Sequence, residues 1–209
     1  MRSSDGKFTT WIGPGACVTD GSQGCYGSGA SNINAFGIIA GGHSDDNFVH
    51  HSYVRTPDGK LKVFDVPGAG TSSYQGTGCP GCYLGLNQLG AIAGIYIDAN
   101  SVEHGFLRSP NGKFTTFDAP GAGTDSYEGT GCPSDCSVSL NDWGAVAGTY
   151  IDSNFVFHGY LRSPNGKIVT VDPRGSAYTS PSGINNSGAV TGTYVDAGGV
   201  YHGFLSTPD

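Results

Sequence analysis

The sequence predicts an all-β protein, and three observations support that fold class. The chain has 36 glycines and 11 prolines in 209 residues, and both residue types are costly inside helices. Hydrophobic residues make up 37% of the chain and charged residues only 13%, so its composition does not fit a disordered protein. One pattern of short strand signals also occurs four times. We therefore expect many short strands joined by tight turns.

Four copies of one unit fill the sequence. Each copy starts at an arginine that is followed by serine or threonine. The four copies lie at residues 2–54, 55–107, 108–161 and 162–205. A fixed repeat of this kind indicates one structural unit per copy. Because almost nothing lies outside the copies, we expect a single domain over residues 1–209.

Each copy carries signals for four strands. In the third copy, residues 113–118 alternate between polar and apolar types after a Pro-Asn-Gly turn, which is typical of a hairpin arm. A second turn, Asn-x-x-Gly, occurs in all four copies. An asparagine at its first position can bond the backbone two residues on, and glycine at its fourth tolerates a positive φ. The turns lie at residues 34–37, 87–90, 141–144 and 185–188.

Tandem four-stranded units of this length predict a four-bladed β-propeller with antiparallel blades. The chain begins with an outermost strand at residues 7–11 and ends with a third strand at residues 201–205. We therefore expect the N-terminal strand to complete the last blade, closing the ring and removing an exposed sheet edge.

The repeat resembles a known family through the motif IN-x-x-G-x-(I/V)-x-G-x-Y-x-D followed by HGFL. The family comprises bacterial extracellular repeat proteins named for a His-Ala-Phe (HAF) signature. That signature is written His-Gly-Phe at residues 104–106 and 202–204, and it is altered at residues 51–53 and 158–160. The resemblance implies a propeller-like protein that is secreted or on the cell surface, and it implies no activity or catalytic residue.

Charge and hydropathy exclude two classes of partner. The net charge of −7 with only ten Lys and Arg residues argues against nucleic acid, which is bound through clustered basic residues. No apolar run approaches the roughly 20 residues of a membrane span. The first ten residues contain no secretion signal, so an exported form is expected to carry its signal outside this sequence.

The six cysteines fall in pairs, with one pair in each of the first three long loops. Such pairing favours local disulfides that restrain glycine-rich loops, as expected outside the cytoplasm. Zinc binding or redox chemistry remains the alternative, because Cys-Pro-Gly-Cys has the spacing of a dithiol or half a zinc site. The pairs are Cys17 and Cys25, Cys79 and Cys82, and Cys132 and Cys136.

In every copy an aspartate precedes a histidine by six residues. The pair flanks one hairpin loop, and a carboxylate that accepts an imidazole N–H would fix the ring. Because the pair is repeated in all four copies, a structural role is the leading interpretation, with a symmetric ring of ligand contacts or catalysis as alternatives. The pairs are Asp45 and His51, Asp98 and His104, Asp152 and His158, and Asp196 and His202.

The first copy contains two further histidines, His43 and His50, of which His43 replaces a tyrosine of the other copies. Together with Asp45 they offer ligands suited to a transition metal. A solvated loop is the alternative interpretation. No resident cofactor is expected, although Ca²⁺ or another metal ion would suit these carboxylates.

Function is expected on the face formed by the long loops. In a propeller these loops share a face with the Asp-His hairpins, and loops on a rigid scaffold commonly bind ligands. Tyrosines suit stacking on sugar rings, and carboxylates suit hydroxyl groups. The candidate ligand-binding residues are Tyr74, Tyr127, Asp45, Asp98, Asp152 and Asp196.

The sequence therefore predicts a non-catalytic binding or structural module on the cell surface or outside the cell, with carbohydrate or a cell-surface polymer as partner. One alternative is a carbohydrate-active hydrolase or lyase that uses two carboxylates, Glu128 and Asp125. The other alternative is a surface or fibre protein that associates with itself. No nucleophile elbow or zinc-protease motif occurs in the chain.

Overall fold

A computed structural model describes residues 6–18, 27–79, 82–132 and 137–208. These residues form sixteen strands, and no helix among them is long and apolar enough to span a membrane. The strands are β1 (Ser28–Ile33), β2 (Ile39–Ser44), β3 (His50–Arg55), β4 (Leu61–Phe64), β5 (Gly76–Thr77), β6 (Gly85–Leu86), β7 (Ile92–Ile97), β8 (Glu103–Arg108), β9 (Phe114–Phe117), β10 (Ser139–Leu140), β11 (Val146–Ile151), β12 (Phe157–Arg162), β13 (Ile168–Thr170), β14 (Ser176–Ile184), β15 (Val190–Asp196) and β16 (Tyr201–Ser206).

Four antiparallel meanders follow one another along the chain, and we call them unit 1 (β1–β4), unit 2 (β5–β9), unit 3 (β10–β13) and unit 4 (β14–β16). Units 1 and 2 form one nine-stranded sheet, because His50 of β3 bridges in parallel to Gly76 of β5. Unit 3 forms a four-stranded sheet and unit 4 a three-stranded sheet. We call the contacts between successive units the first, second and third junctions.

The all-β class is confirmed, but the closed four-bladed propeller is wrong. All three sheets of the described residues are open, and none of their strands pairs with the outer edge of β16. The N-terminal segment instead packs on unit 1, where the Trp11 indole N–H donates to the Tyr53 hydroxyl at 3.1 Å. The repeat therefore specifies contacts between neighbouring units, whereas ring closure also depends on the small rotation at each junction.

The Asn-x-x-Gly turns form the tight hairpins that the sequence predicts. In unit 1, the Asn34 side-chain oxygen accepts the backbone N–H groups of Phe36 and Ile38, both at 3.0 Å. The glycine at the fourth position has a positive φ in every unit, such as 76° at Gly37. The same two bonds recur at Asn141 and Asn185.

These turns are joined across the units by an asparagine ladder. The Asn34 amide donates to the Asn87 carbonyl at 3.2 Å, Asn87 to the Asn141 carbonyl at 3.1 Å, and Asn141 to the Asn185 carbonyl at 3.0 Å. Because Asn34, Asn87 and Asn141 are buried, each bond satisfies a polar group that would be costly to leave unpaired. The ladder fixes the register between successive units.

The core lies at the junctions rather than inside any single unit. Glycine in the second strand of a unit makes close packing possible, because a Cβ at Gly94 would lie only 2.8 Å from the Phe106 ring. Residues at the first junction include Ala40, Phe64, Val66, Leu84, Leu86, Ile92, Tyr96 and Phe106. Residues at the second junction include Ala93, Ile95, Ala119, Val138, Val146, Tyr150 and Tyr160.

Candidate functional site

A pocket of about 410 Å³ opens at the first junction. Its volume falls within the usual range for small-ligand sites. Strand β1, the β2–β3 hairpin and the segment leading into β6 form its walls. Among the described residues, no Asp, Glu, Lys or Arg side chain lines it. The lining residues are Gly27, Ser28, Gly29, Ala30, Ser31, Gly42, His43, Ser44, His50, His51, Ser52, Thr77, Gly78, Cys79, Cys82, Tyr83 and Leu84.

His50 is a deeply buried polar residue of this pocket, with only 4% of its surface exposed. Its Nδ1 lies 2.9 Å from the Ser44 hydroxyl, across the β2–β3 pair. Its Nε2 is buried and has no hydrogen-bond partner among the described residues. Burial, with a smaller contribution from the neighbouring His51, lowers the pKa of His50 to about 4. The imidazole is therefore neutral near pH 7, and it presents one unused polar atom.

His43 forms another part of the wall and is also buried. Its ring stacks on His51 with 5.2 Å between the ring centroids. Its Nδ1 has no hydrogen-bond partner, and burial lowers its pKa. In the other units a tyrosine stacks on the repeated histidine, as Tyr96 does on His104 at 4.9 Å. Unit 1 thus has a second imidazole where the repeat normally has a phenol.

The repeated Asp-His pairs do meet across their hairpin loops, and they hold those loops in shape. His104 Nε2 lies 3.6 Å from Asp98, and its Nδ1 lies 2.8 Å from Asp118. The bond to Asp118 raises the pKa of His104, although burial opposes this. The other histidines also face carboxylates, at His51 with Asp45 and Asp65, at His158 with Asp152 and Asp172, and at His202 with Asp196.

The same aspartates cap the hairpin turns with their second carboxylate oxygen. Asp152 Oδ1 accepts the N–H groups of Asn154 and Val156 at 2.9 and 2.8 Å. The bond from Val156 is the main reason why the pKa of Asp152 is lowered. Asp45, Asp98 and Asp196 accept the corresponding bonds. Both oxygens of each carboxylate are thus directed at groups of their own hairpin.

The histidine cluster predicted as a metal site is not assembled. Among the residues that the structure describes, no three His, Cys, Asp or Glu side chains are arranged to hold a metal ion. His50 faces Ser44, His43 stacks on His51, and Asp45 caps its turn. A shallow acidic hollow of about 390 Å³ lies on the other side of His43 and His51.

Tyr74 and Tyr127 occupy equivalent places in the long loops, as their sequence positions suggest. Both have a positive φ, of 65° and 66°. The Tyr74 N–H donates to the Phe48 carbonyl, and the Tyr127 N–H donates to the Ser101 carbonyl. Tyr74 also stacks on Phe48 at 6.0 Å. Each tyrosine therefore packs on the hairpin loop of the unit before it, and more than half of its surface remains exposed.

Glu128 and Asp125, the two residues predicted for hydrolysis, contact each other within one loop. Glu128 is buried, and its Oε2 accepts the backbone N–H of Asp125 at 3.1 Å. Gln75 makes the same bond to the Ser72 N–H in the preceding loop. The contact thus shapes the loop in two successive units, and Asp125 takes part through its backbone.

The described cysteines belong to disulfides. Cys79 and Cys82 form one within a single loop, with 5.2 Å between their Cα atoms. This disulfide lines the pocket beside Tyr83. Cys17 and Cys132 are disulfide-bonded as well, whereas Cys25 and Cys136 lie outside the described residues.

Sequence reasoning missed Ser44, Ser52 and Tyr83, although one signal was present. Ser44 stands where units 2 and 3 have Ile97 and Ile151. A polar residue at a position that is otherwise apolar marks a departure from the repeat. That departure coincides with the only pair of extra histidines in the chain.

Fold and pocket together define an all-β repeat protein with an uncharged, ligand-sized pocket between two units. No protein-family model matches the sequence, and no curated protein is significantly similar to it. Among solved structures, a fucose lectin from Kordia zhangzhouensis in complex with methyl-fucoside is similar with a TM-score of 0.41. The sequence identity is 13%, and the match covers 70% of this chain and 99% of that chain.

Proposed function

We propose that this protein is a non-catalytic module that binds a carbohydrate in the pocket at the first junction. The observation that carries the proposal is His50, whose buried Nε2 has no hydrogen-bond partner in the part of the chain that the structure describes. A buried polar atom without a partner is costly, and a ligand that supplies a hydrogen bond removes that cost. The sugar hydroxyl suits this role because it can both donate and accept.

The rest of the pocket supports a neutral, hydroxyl-rich ligand. The part of its lining that the structure describes has no carboxylate, ammonium or guanidinium group, and the lowered pKa values of His43 and His50 keep both rings neutral. Tyr83 lines the pocket and is 56% exposed, so its ring offers a face for stacking on a sugar. The polar groups and the aromatic ring thus suit the two sides of a pyranose.

We further propose that the protein acts outside the cell, on a glycan or a cell-surface polymer. The Cys79–Cys82 disulfide in the pocket wall supports this location, because structural disulfides persist in oxidising compartments. The experiment is designed to detect cleavage as well as binding.

The test is a glycan array followed by calorimetry with the best ligand. His50→Phe retains a ring, removes both nitrogens and introduces the residue that unit 3 has at Phe157. We expect it to weaken binding about tenfold or more, and Tyr83→Ala to weaken it as well. The matched control is Glu103→Gln, at the same strand position in unit 2, which should bind normally.

Three results would contradict the proposal. The first is that no glycan on the array binds. The second is that His50→Phe binds normally while Tyr74→Ala or Tyr127→Ala abolishes binding, which would move the site to the loop face. Cleavage of any polysaccharide that depends on Glu128 would establish an enzyme instead.

A further inference from the structure

Among the described residues, unit 4 has three strands, whereas units 1, 2 and 3 each have an outer strand beyond the one equivalent to β16. In units 1, 2 and 3 the third strand pairs on its outer side with β4, β9 and β13. The corresponding edge of β16 has no partner strand among the described residues. Tyr201 and Leu205 of β16 are 74% and 69% exposed. Open edges of this kind are ready templates for another strand.

The N-terminal segment, residues 7–11, has the sequence of a fourth strand. It reads Lys-Phe-Thr-Thr-Trp, and residues 113–117 read Lys-Phe-Thr-Thr-Phe. Its Trp11 ring also lies where the last aromatic residue of a fourth strand lies. The Arg55 guanidinium is 4.8 Å from the Trp11 ring centroid, just as Arg108 is 4.8 Å from that of Phe64.

A backbone bond places the following residues in the same way. The Cys17 N–H donates to the Ser44 carbonyl at 2.8 Å. At the next junction, the N–H of Gly70 makes this bond to the Ile97 carbonyl, also at 2.8 Å. Residues 7–17 therefore bind to unit 1 as the tail of unit 1 binds to unit 2. Residues 7–17 thus resemble the end of a unit that would precede unit 1.

The asparagine ladder has matching unused ends. At one end, Asn185 is exposed, and its side-chain amide donates to none of the described residues. At the other end, the Asn34 carbonyl accepts only the Gly37 N–H of its own turn from this part of the chain. Within this part of the chain the Asn185 amide is an unused donor, and the Asn34 carbonyl can accept one further bond. A bond between them would have the same direction as the bonds within the ladder, in which the amide of one turn donates to the carbonyl of the next.

We propose that a second copy of this chain docks head to tail, with its residues 7–11 adding to the β16 edge of the first copy. The pairing of β3 with β4 and of β12 with β13 sets the expected register, in which Ser206 faces Phe8, Leu205 faces Thr9 and Phe204 faces Thr10. Asn185 of the first copy then donates to the Asn34 carbonyl of the second. Such an interface joins different faces, so it builds rings or open filaments. The proposal does not depend on carbohydrate binding.

Disulfide trapping between separately purified variants tests the register. A Thr9→Cys protein is mixed with a Leu205→Cys protein under mild oxidation, so that only pairing between chains can cross-link them. We expect a covalent dimer. Thr9→Cys with Ser206→Cys is the matched control, because a shift of one residue places the side chains on opposite faces of the sheet.

Size measurements test the ladder ends. Light scattering over a concentration series should show masses above 21.4 kDa for the wild-type protein. Asn185→Asp keeps the oxygen that caps the turn and removes the donor, so it should raise the dissociation constant about tenfold while the melting temperature is unchanged. Asn141→Asp removes an internal donor and should lower the melting temperature.

The proposal is overturned if the wild-type protein stays monomeric at every concentration and the mixed variants do not cross-link. It is also overturned if a Thr9→Cys, Leu205→Cys double variant cross-links within a monomer, because residues 7–11 would then reach their own unit 4.

Discussion

The first and second junctions share a backbone but differ in the chemistry of one buried side chain. His50 at the first junction and Glu103 at the second start equivalent strands. The backbone N–H of each donates to a carbonyl at the end of the loop that follows its unit, that of Gln75 at 2.8 Å and that of Glu128 at 2.9 Å. A glycine with strongly positive φ follows that residue at both places, Gly76 at 114° and Gly129 at 124°. The repeat therefore maintains the junction, while the side chain is free to diverge.

The residue opposite each side chain explains why the two divergent groups behave differently. Ser44 faces His50 and gives its ring a partner. Ile97 faces Glu103 and cannot form a hydrogen bond. Glu103 is fully buried, and neither carboxyl oxygen has a partner. Burial raises the pKa of Glu103 to about 7, so this side chain favours its protonated form. The two junctions therefore differ in whether the buried polar side chain has a hydrogen-bond partner on the strand opposite it.

The largest effect is expected for Glu103→Gln. The ordinary pKa of glutamate is about 4.3. Between that value and pH 7, the unfolded chain has released a proton that folded Glu103 retains, so the free energy of unfolding falls as the pH rises. Glutamine cannot ionise, so the variant should be about 3 kcal/mol more stable than wild type at pH 8 and nearly equal at pH 4. Urea denaturation at the two pH values measures this difference.

The matched control is Glu128→Gln in the adjoining loop. Glu128 accepts a backbone hydrogen bond that Glu103 lacks, so its replacement should give no stabilisation at pH 8. Equal stability of wild type and Glu103→Gln at both pH values would remove the contrast between the junctions.

A smaller effect of opposite sign is expected for His50→Phe. Below pH 6.5 His50 binds a proton in the unfolded chain, whereas in the folded protein it stays neutral down to about pH 4. The free energy of unfolding of the wild-type protein therefore falls on acidification. The loss is at most about 3 kcal/mol, and it is reduced because the Ser44 hydroxyl still accepts a bond from an imidazolium. The variant should show a shallower decline between pH 6.5 and 4 in the same denaturation experiment. An unchanged decline would assign the acid sensitivity to other groups, of which buried His43 is the first to examine.

The smallest effect is expected for Ser44→Ala. It leaves both nitrogens of His50 without a partner, so the free energy of unfolding at pH 7 should fall by about 1 kcal/mol. Thermal unfolding of Ser44→Ala beside Ser153→Ala, an exposed turn position, measures it. Indistinguishable melting temperatures for the two variants would show that the Ser44 hydroxyl does not support His50.

The repeating parts of the fold were predictable, and the parts that depend on small cumulative angles were not. Each Asn-x-x-Gly turn is specified by residues within five positions of one another, and the structure forms it as predicted. Closure of the ring depends instead on how far each unit rotates relative to the last, which no single residue encodes. Residues 7–11 match a fourth strand in sequence, yet that match does not say which unit they join.

The candidate site was only half visible in the sequence. His43 and His50 depart from the repeat, and they lie in the hairpin that lines the pocket, but their residue types suggested a metal site. Tyr83 lies in a loop whose counterparts in the other units have no tyrosine at that position, so the repeat gave no signal for it. The bonds between the repeated aspartates and the turn N–H groups depend on geometry that the sequence does not display.

The asparagine ladder determines the order in which units stack, but it does not limit how many units stack. Each internal turn receives one bond and gives one, so an internal unit could be duplicated or deleted and each remaining turn would still find its partners. A gene of this kind can change its number of repeats in a single recombination event without any compensating substitution. The number of units is therefore open to selection on whatever occupies the two ends, rather than being fixed by the chemistry of the turns.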